Sequence, residues 1–251
     1  MYEPNVAQLL ERLQPDDLVL EIGGWACPFN RAQWVMDVQP YETRGFYRTF
    51  GGPASQGGER EWFSRDTWIQ RDICAKDPFP FPDKHFDFVV CSHTLEDIRD
   101  PLWVCAEMIR IGKRGYIEVP SRAFESTPGV ERPGMAGLSH HRWLIEIRDQ
   151  RIDFLQKYSC IHTWRFCLPP SYKRRLTPAT AVQWLWWDDR FEFQEVSHYG
   201  IAEMEGDLER FVRETCPHPP WRLAFDRKWQ EGKRLASRAR DLVTARRLRG
   251  G

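Results

Sequence analysis

Val6, Leu9, Leu10 and Leu13 recur at the spacing of one helix face, so residues 4–13 are predicted to form a short amphipathic helix. The period then changes. Leu18-Val19-Leu20-Glu21-Ile22 is a short apolar run ended by Gly23-Gly24, and such a run predicts a buried parallel strand rather than an alternating surface strand. Residues 33–37, 67–72 and 86–91 predict three more strands. Asp100-Pro101 supplies a helix N-cap and a proline at the first helical position. Leu102, Cys105, Met108 and Ile109 continue at helical spacing, and Gly112 marks the stop. Residues 115–120 predict a fifth strand. Strand, helix and strand in this order imply right-handed parallel crossovers, hence a doubly wound α/β sheet covered on both faces.

Beyond Ser121 the patterning weakens. Residues 122–139 are rich in Pro, Gly, Ser and Glu and predict a long loop, which inside a compact domain is usually functional or mobile. Residues 142–157 predict a β-hairpin turning at Asp149-Gln150, with a helix as the alternative, and residues 191–196 alternate as a late strand. The Gly51–Gly58 stretch reads as a flexible crossing between strands, with a lid as the other reading. The division that follows is one domain over 1–221, with 15–121 as a ligand-binding half and 122–221 as an elaboration on the substrate side, and a basic helical tail over 222–251.

Charge changes this picture only locally. The 251 residues carry 36 Lys and Arg against 36 Asp and Glu, which argues against a surface built as a whole to grip nucleic acid or anionic membrane. The tail, however, holds ten basic residues against three acidic ones, a net of +7 that leaves −7 on the rest. The tail reads as a solvated helix, with RNA or an acidic partner as the minority reading. No apolar run approaches the roughly 18–20 residues that span a bilayer, and residues 1–17 lack the pattern of a signal peptide. Seven scattered cysteines without a C-x-x-C pair imply reduced thiols and a cytoplasmic location. Twelve tryptophans are unusual, and seven of them lie beyond residue 121. Trp34, Trp68 and Trp103 are expected in the core, as is the Trp184-Leu185-Trp186-Trp187 run.

In an open α/β sheet, ligands bind at the carboxyl ends of the strands. Four strand ends here carry what a nucleoside ligand needs. Gly23 and Gly24, after Glu21, let backbone approach a ligand with no side chain in the way. Asp37 is placed to accept both hydroxyls of a ribose. Asp72 can accept from an exocyclic amine while Ile73 packs on a base, and Ser92-His93 closes the fourth strand. The G-x-G-x-x-G spacing of dinucleotide enzymes is absent.

The run from Asp72 through Asp77-Pro78-Phe79-Pro80-Phe81-Pro82-Asp83-Lys84, Phe86-Asp87, Val89, Ser92-His93 and Leu95-Glu96 to Asp100-Pro101 resembles the central block of class I S-adenosylmethionine-dependent methyltransferases of the type 11 group. Residues 107–120 are similar to that group's next helix and strand, so the likeness spans about residues 15–121. It implies a Rossmann-like, seven-stranded, mostly parallel sheet and S-adenosylmethionine as cofactor. It also implies Glu21, Gly23 and Gly24 near the methionine part, Asp37 and Val38 at the ribose, Asp72 and Ile73 at the adenine, and Ser92 and His93 on the floor of the site. Two departures stand out. Trp25 and Cys27 occupy positions where the group carries glycine, and the twelve residues between Gly24 and Asp37 replace its first helix with a short or irregular turn containing Pro28.

The expected activity is methyl transfer to a small-molecule acceptor, sugar-containing or a natural-product intermediate. A non-catalytic binding or scaffold protein is the alternative, motivated by Trp25 and Cys27, and an RNA methyltransferase the third. Nucleic acid and membrane are not expected partners. His93 and His141 are the candidate bases, since an imidazole near neutral pKa can take a proton as the methyl arrives. Glu125, His140 and His141 are the candidate acceptor contacts. A metal site is not expected, because the His140-His141 pair has no second ligand cluster at matching spacing.

Overall fold

The computed structural model describes residues 1–216 and, beyond them, Phe225, Lys228 and Gly232. The basic tail expected over 222–251 thus lies almost wholly outside the described residues. The chain divides into two compact units. The first holds Met1–Arg122, His140–Lys157 and Pro178–Ser197, and the second Ala123–Ser139, Tyr158–Thr177 and the residues from His198 on.

The first unit is built on helix α1 (Glu3–Arg12), strands β1 (Val19–Ile22), β2 (Trp34–Asp37), β3 (Trp68–Gln70) and β4 (Phe88–Ser92), helix α2 (Pro101–Ile111) and strand β5 (Arg114–Pro120). After a one-turn helix α3 (Arg122–Glu125), of which only Arg122 belongs to this unit, come strands β6 (Trp143–Arg148) and β7 (Arg151–Gln156), a one-turn helix α4 (Pro178–Ala181), and strands β8 (Val182–Asp188) and β9 (Glu192–Glu195). The main sheet runs β3-β2-β1-β4-β5-β8. Its first five strands are parallel and β8 lies antiparallel to β5. It is the mostly parallel α/β sheet expected from the sequence, with six strands among the described residues instead of seven. The late strand β9 pairs parallel with β7 in a separate sheet of order β6-β7-β9 and does not extend the main one.

Successive side chains of the buried strands point to opposite faces, and both faces are covered. On one, Leu20, Ile22, Val89, Cys91 and Ile117 pack with Val104, Cys105, Met108 and Ile111 of α2. On the other, Val19, Phe88, Val90 and Tyr116 pack with Leu9 of α1, with Leu13 just after it and with Phe29. Asp100 caps α2 by accepting from Trp103 N–H at 2.9 Å. Gly112 is the C-cap of that helix, where the backbone turns extended, and the site leaves room for no side chain, since a Cβ there would lie 2.6 Å from Val89 Cγ2. The hairpin predicted over 142–157 forms as β6 and β7, turning at Asp149, whose φ is +53°.

Between β1 and β2 there is no helix, only irregular chain. The glycine-rich crossing is pinned to that chain, with Asn30 N–H donating to Gln56 O at 2.7 Å and Gln56 N–H to Pro28 O at 2.9 Å. Trp68 is buried, and Trp34 and Trp103 are half-buried against the core. In β8, Trp187 is buried and Trp184 exposed.

The second unit contains helix α5 (Ile201–Thr215), whose Val212 packs with Leu168 and Cys216. The loop predicted over 122–139 contains α3 at its start and an antiparallel bridge between Pro128 and Ala136. No helix among the described residues is long and apolar enough to cross a membrane.

Candidate functional site

From β1 the chain winds outward through β2 and β3, then returns to β4 on the other side of β1. The connections therefore diverge at the carboxyl ends of β1 and β4, which opens a crevice between them. Gly23 follows β1, Asp37 ends the neighbouring β2, and Ser92 and His93 close β4, so the topology brings together three segments that lie far apart in sequence.

Gly23 has φ +78° and donates to Met36 O at 2.9 Å. A Cβ on it would lie 1.9 Å from Thr94 Oγ1, so the strand end closes only with glycine. A Cβ on Gly24 would lie 2.2 Å from Glu21 Oε2. Glu21 folds beneath this loop and accepts from Phe29 N–H at 2.7 Å. Burial pushes its carboxyl up to about 8, so it is largely uncharged at neutral pH.

Asp37 is held from both sides. Oδ2 accepts from Trp25 N–H at 3.0 Å and Oδ1 from Gln39 N–H at 2.8 Å. Burial raises its pKa against the lowering effect of these bonds. A third backbone N–H, that of Val38, also bonds the carboxylate, and together these donors fix its orientation at the end of β2. Trp25, in a glycine's place, turns its ring onto Phe46 (centroids 4.6 Å apart) and donates Nε1–H to Thr43 Oγ1 at 2.9 Å. Burial lifts the Cys27 thiol to about 11.

Ser92 and His93 close β4. Ser92 Oγ is buried with no protein partner, and an orphaned hydroxyl at a strand end fits a polar ligand atom. His93 has φ +52°, a left-handed conformation uncommon outside glycine. Its Nε2 lies 3.1 Å from Glu118 Oε1 and its Nδ1 3.4 Å from Glu96 Oε1. Burial works against the charged ring, but the hydrogen bonds to Glu118 and Glu96 outweigh it and raise the pKa to about 9. His93 is therefore a charged donor at neutral pH, not a side chain ready to take a proton. Glu118 is fully buried and also accepts from Tyr2 N–H at 2.8 Å, from the Tyr116 hydroxyl, and from Asn5 Nδ2 at 3.3 Å. Burial alone would raise its pKa, yet the bonds from His93 and Tyr116 hold it below the ordinary value.

The sign of the His93 shift sets a pH dependence. A pKa raised from 6.5 to about 9 on folding contributes stability that is fully present below about 6.5 and is lost as pH rises to about 9. Glu21, raised from 4.5 to about 8, acts in the same direction between those values. The melting temperature should fall as pH is raised from 6.5 to 9, and His93→Gln should flatten that slope. A wild-type slope unchanged in the variant would refute the assignment.

The other predicted residues are placed less centrally. Val38 is exposed, and Ile73 is buried in the core. Asp72 lies in the turn after β3, with Oδ2 2.6 Å from Arg99 and Oδ1 accepting from Cys74 N–H at 2.9 Å. Arg99 holds its carboxyl below the ordinary value. His140 and His141 stand before β6, where Arg142 N–H and Trp143 N–H donate to Glu96 O at 2.7 and 3.3 Å. This clamp sets the histidine pair beside the turn that follows β4. Glu125 belongs to the second unit, buried next to Gly137, whose Cβ would lie 2.4 Å from Glu125 Oε2. Sequence reasoning missed Glu96, Asp97, Glu118 and Tyr47. Burial and the charges of Glu96, Cys27 and Asp97 raise the Tyr47 phenol. A carboxylate within the apolar run of β5 was the available signal for Glu118.

Residues 54–117 match the family model described as a methyltransferase domain. Among solved structures, the chain is similar to a methyltransferase from Haloferax volcanii in complex with the Trm112 methyltransferase activator (19% identity, 48% of this chain and 53% of that one, TM-score 0.33). It is also similar to S-adenosylmethionine-dependent methyltransferases from Aquifex aeolicus (16%, 48% and 65%, 0.30) and Mesorhizobium loti (15%, 59% and 61%, 0.30). The chain spans less than two thirds of the length of each. No curated protein matches. Over this segment the chain resembles class I methyltransferases, and such a domain implies S-adenosylmethionine as cofactor. The residues present fit that group in the preset Asp37 carboxylate, the partnerless Ser92 hydroxyl and the charged His93.

Proposed function

We propose that the protein transfers a methyl group from S-adenosylmethionine to a small-molecule acceptor, sugar-containing or a natural-product intermediate. The observation that carries this reading is Asp37, a buried strand-end carboxylate preset by two backbone N–H groups beside the crevice of the sheet. Bound there, the cofactor supplies an activated methyl on a sulfonium. Asp37 accepts from its ribose hydroxyls, and Ser92 and His93 contact it from the end of β4. Asp72 and Ile73 are the candidates for the adenine end. The protein's main work is positioning, because holding acceptor and methyl in line converts a bimolecular step into a unimolecular one.

Since His93 stays charged at neutral pH, proton removal from an acceptor hydroxyl or amine falls to His141. Its Nε2 lies 3.6 Å from Asp97 Oδ1. His140 flanks it as an acceptor contact. The cysteines form no disulfide among the described residues, which supports a cytoplasmic setting. The test is S-adenosylhomocysteine release on a panel of hydroxyl-bearing acceptors. His141→Ala should lower kcat by about 10²–10⁴-fold while equilibrium dialysis shows methyl-labelled S-adenosylmethionine retained as before. No retention of the labelled cofactor by the wild type would remove the reading.

A further inference from the structure

Asp97, His140 and His141 each offer one ligand atom, and the three atoms lie within 4.8 Å of one another. His141 Nε2 is 3.6 Å and His140 Nε2 3.8 Å from Asp97 Oδ1. Imidazole nitrogens and a carboxylate oxygen bind zinc at about 2.0–2.2 Å, which in a tetrahedral arrangement separates neighbouring ligand atoms by roughly 3.4 Å. The two nitrogen-to-oxygen separations reach that geometry by closing a few tenths of an ångström.

The fold holds the set together from outside it. Arg142 and Trp143 donate their backbone N–H groups to Glu96 O, and Trp143 Nε1–H donates to Ile98 O at 2.9 Å. The residues on either side of Asp97 are thereby tied to the residues directly after His141. Neither histidine lies in a regular helix or strand, so adjacent side chains are free of the alternation that would send them to opposite faces. The two rings meet edge to face, with centroids 4.6 Å apart.

We infer that Asp97, His140 and His141 form a binding site for a divalent transition cation, with zinc as the best match. Two imidazoles and one carboxylate suit zinc, iron, cobalt or nickel, whereas magnesium and calcium prefer oxygen ligands throughout. Three protein ligands leave at least one coordination position open, the arrangement of catalytic rather than structural zinc. With His141 Nε2 on the cation, the cation replaces that imidazole's role as base: a hydroxyl oxygen of an acceptor entering the open position gives up its proton to bulk water more readily, because the cation stabilises the alkoxide that then takes the methyl. This use of the cation rests on the methyl-transfer reading, but its binding does not.

The experiment is run on the full-length protein, stripped with a chelator and dialysed, without cofactor or acceptor. Cobalt(II) is added while the visible ligand-field spectrum is recorded, and zinc(II) binding is followed by calorimetry. One cation per chain is expected. His140→Ala and Asp97→Asn should each weaken it by more than about 100-fold, beyond the roughly 10–100-fold that follows loss of a partner outside the coordination sphere. The His140 side chain is 61% exposed, so its removal leaves the fold intact, as circular dichroism will verify. His85→Ala serves as the control and should bind like the wild type. No stoichiometric binding at millimolar zinc, or binding unaltered in both ligand variants, would overturn the site. Either result leaves cofactor retention, measured separately, untouched.

Discussion

Replacing Glu118 by Ala should lower the stability of the protein by about 3–5 kcal/mol, the range found when one partner of a buried ion pair is removed. Glu118 is fully buried in β5, a strand flanked by β4 and β8. Its carboxylate accepts from Tyr2 N–H, the Tyr116 hydroxyl and Asn5 Nδ2, and pairs with His93. Truncation leaves those donors facing a cavity in the middle of a sheet that cannot collapse to fill it. Glu118→Gln keeps the volume and much of the hydrogen bonding, so its cost should be smaller. It should also bring the His93 pKa down from about 9, because the hydrogen bond to Glu118 is the largest influence raising it. Urea unfolding measures the first effect and imidazole proton NMR the second. A loss below about 1 kcal/mol in Glu118→Ala would show that the cluster is solvated and not load-sharing.

The second large effect concerns Asp37. If its two oxygens accept the ribose hydroxyls, Asp37→Ala removes two hydrogen bonds to a charged group, each worth about 1.5–3 kcal/mol. The expected loss of affinity for S-adenosylhomocysteine is therefore at least about 100-fold. Asp37 also accepts from Trp25 and Gln39 N–H, so Ala disturbs the loop as well as the ligand contact. Asp37→Asn is the milder change: it keeps the side-chain volume and one carbonyl acceptor but gives up one of the two backbone bonds, so its affinity should fall between those of the wild type and the Ala variant.

Much of the first unit was legible in the sequence because its strands are buried on both faces and punctuated by Gly, Pro and Asp. Leu18–Ile22 could only be a buried strand, and Asp100-Pro101 could hardly be other than a helix start. β8 was not legible, since Trp184-Leu185-Trp186-Trp187 is apolar at every position and carries no period, although in the sheet Trp184 is exposed and Leu185 and Trp187 are buried. The assignment of β9 to the second sheet depends on β7 and has no local signature. The strand-end residues Gly23, Asp37 and Ser92 were readable from topology alone, because any doubly wound sheet brings strand ends together. The His93 cluster was not, since it depends on a register. Ser92 pairs with Glu118, and only that alignment sets the carboxylate beside the imidazole. The same holds for Asp97, which reaches the histidine pair through backbone bonds between the turn after β4 and the start of β6.

Calorimetric titration with S-adenosylhomocysteine, run side by side on the wild type, Asp37→Asn and Asp37→Ala, tests the cofactor site most directly. One molecule should bind per wild-type chain, with affinity falling stepwise through Asn to Ala while circular dichroism stays unchanged. No heat of binding to the wild type at millimolar ligand, or equal affinity in all three proteins, would contradict the account.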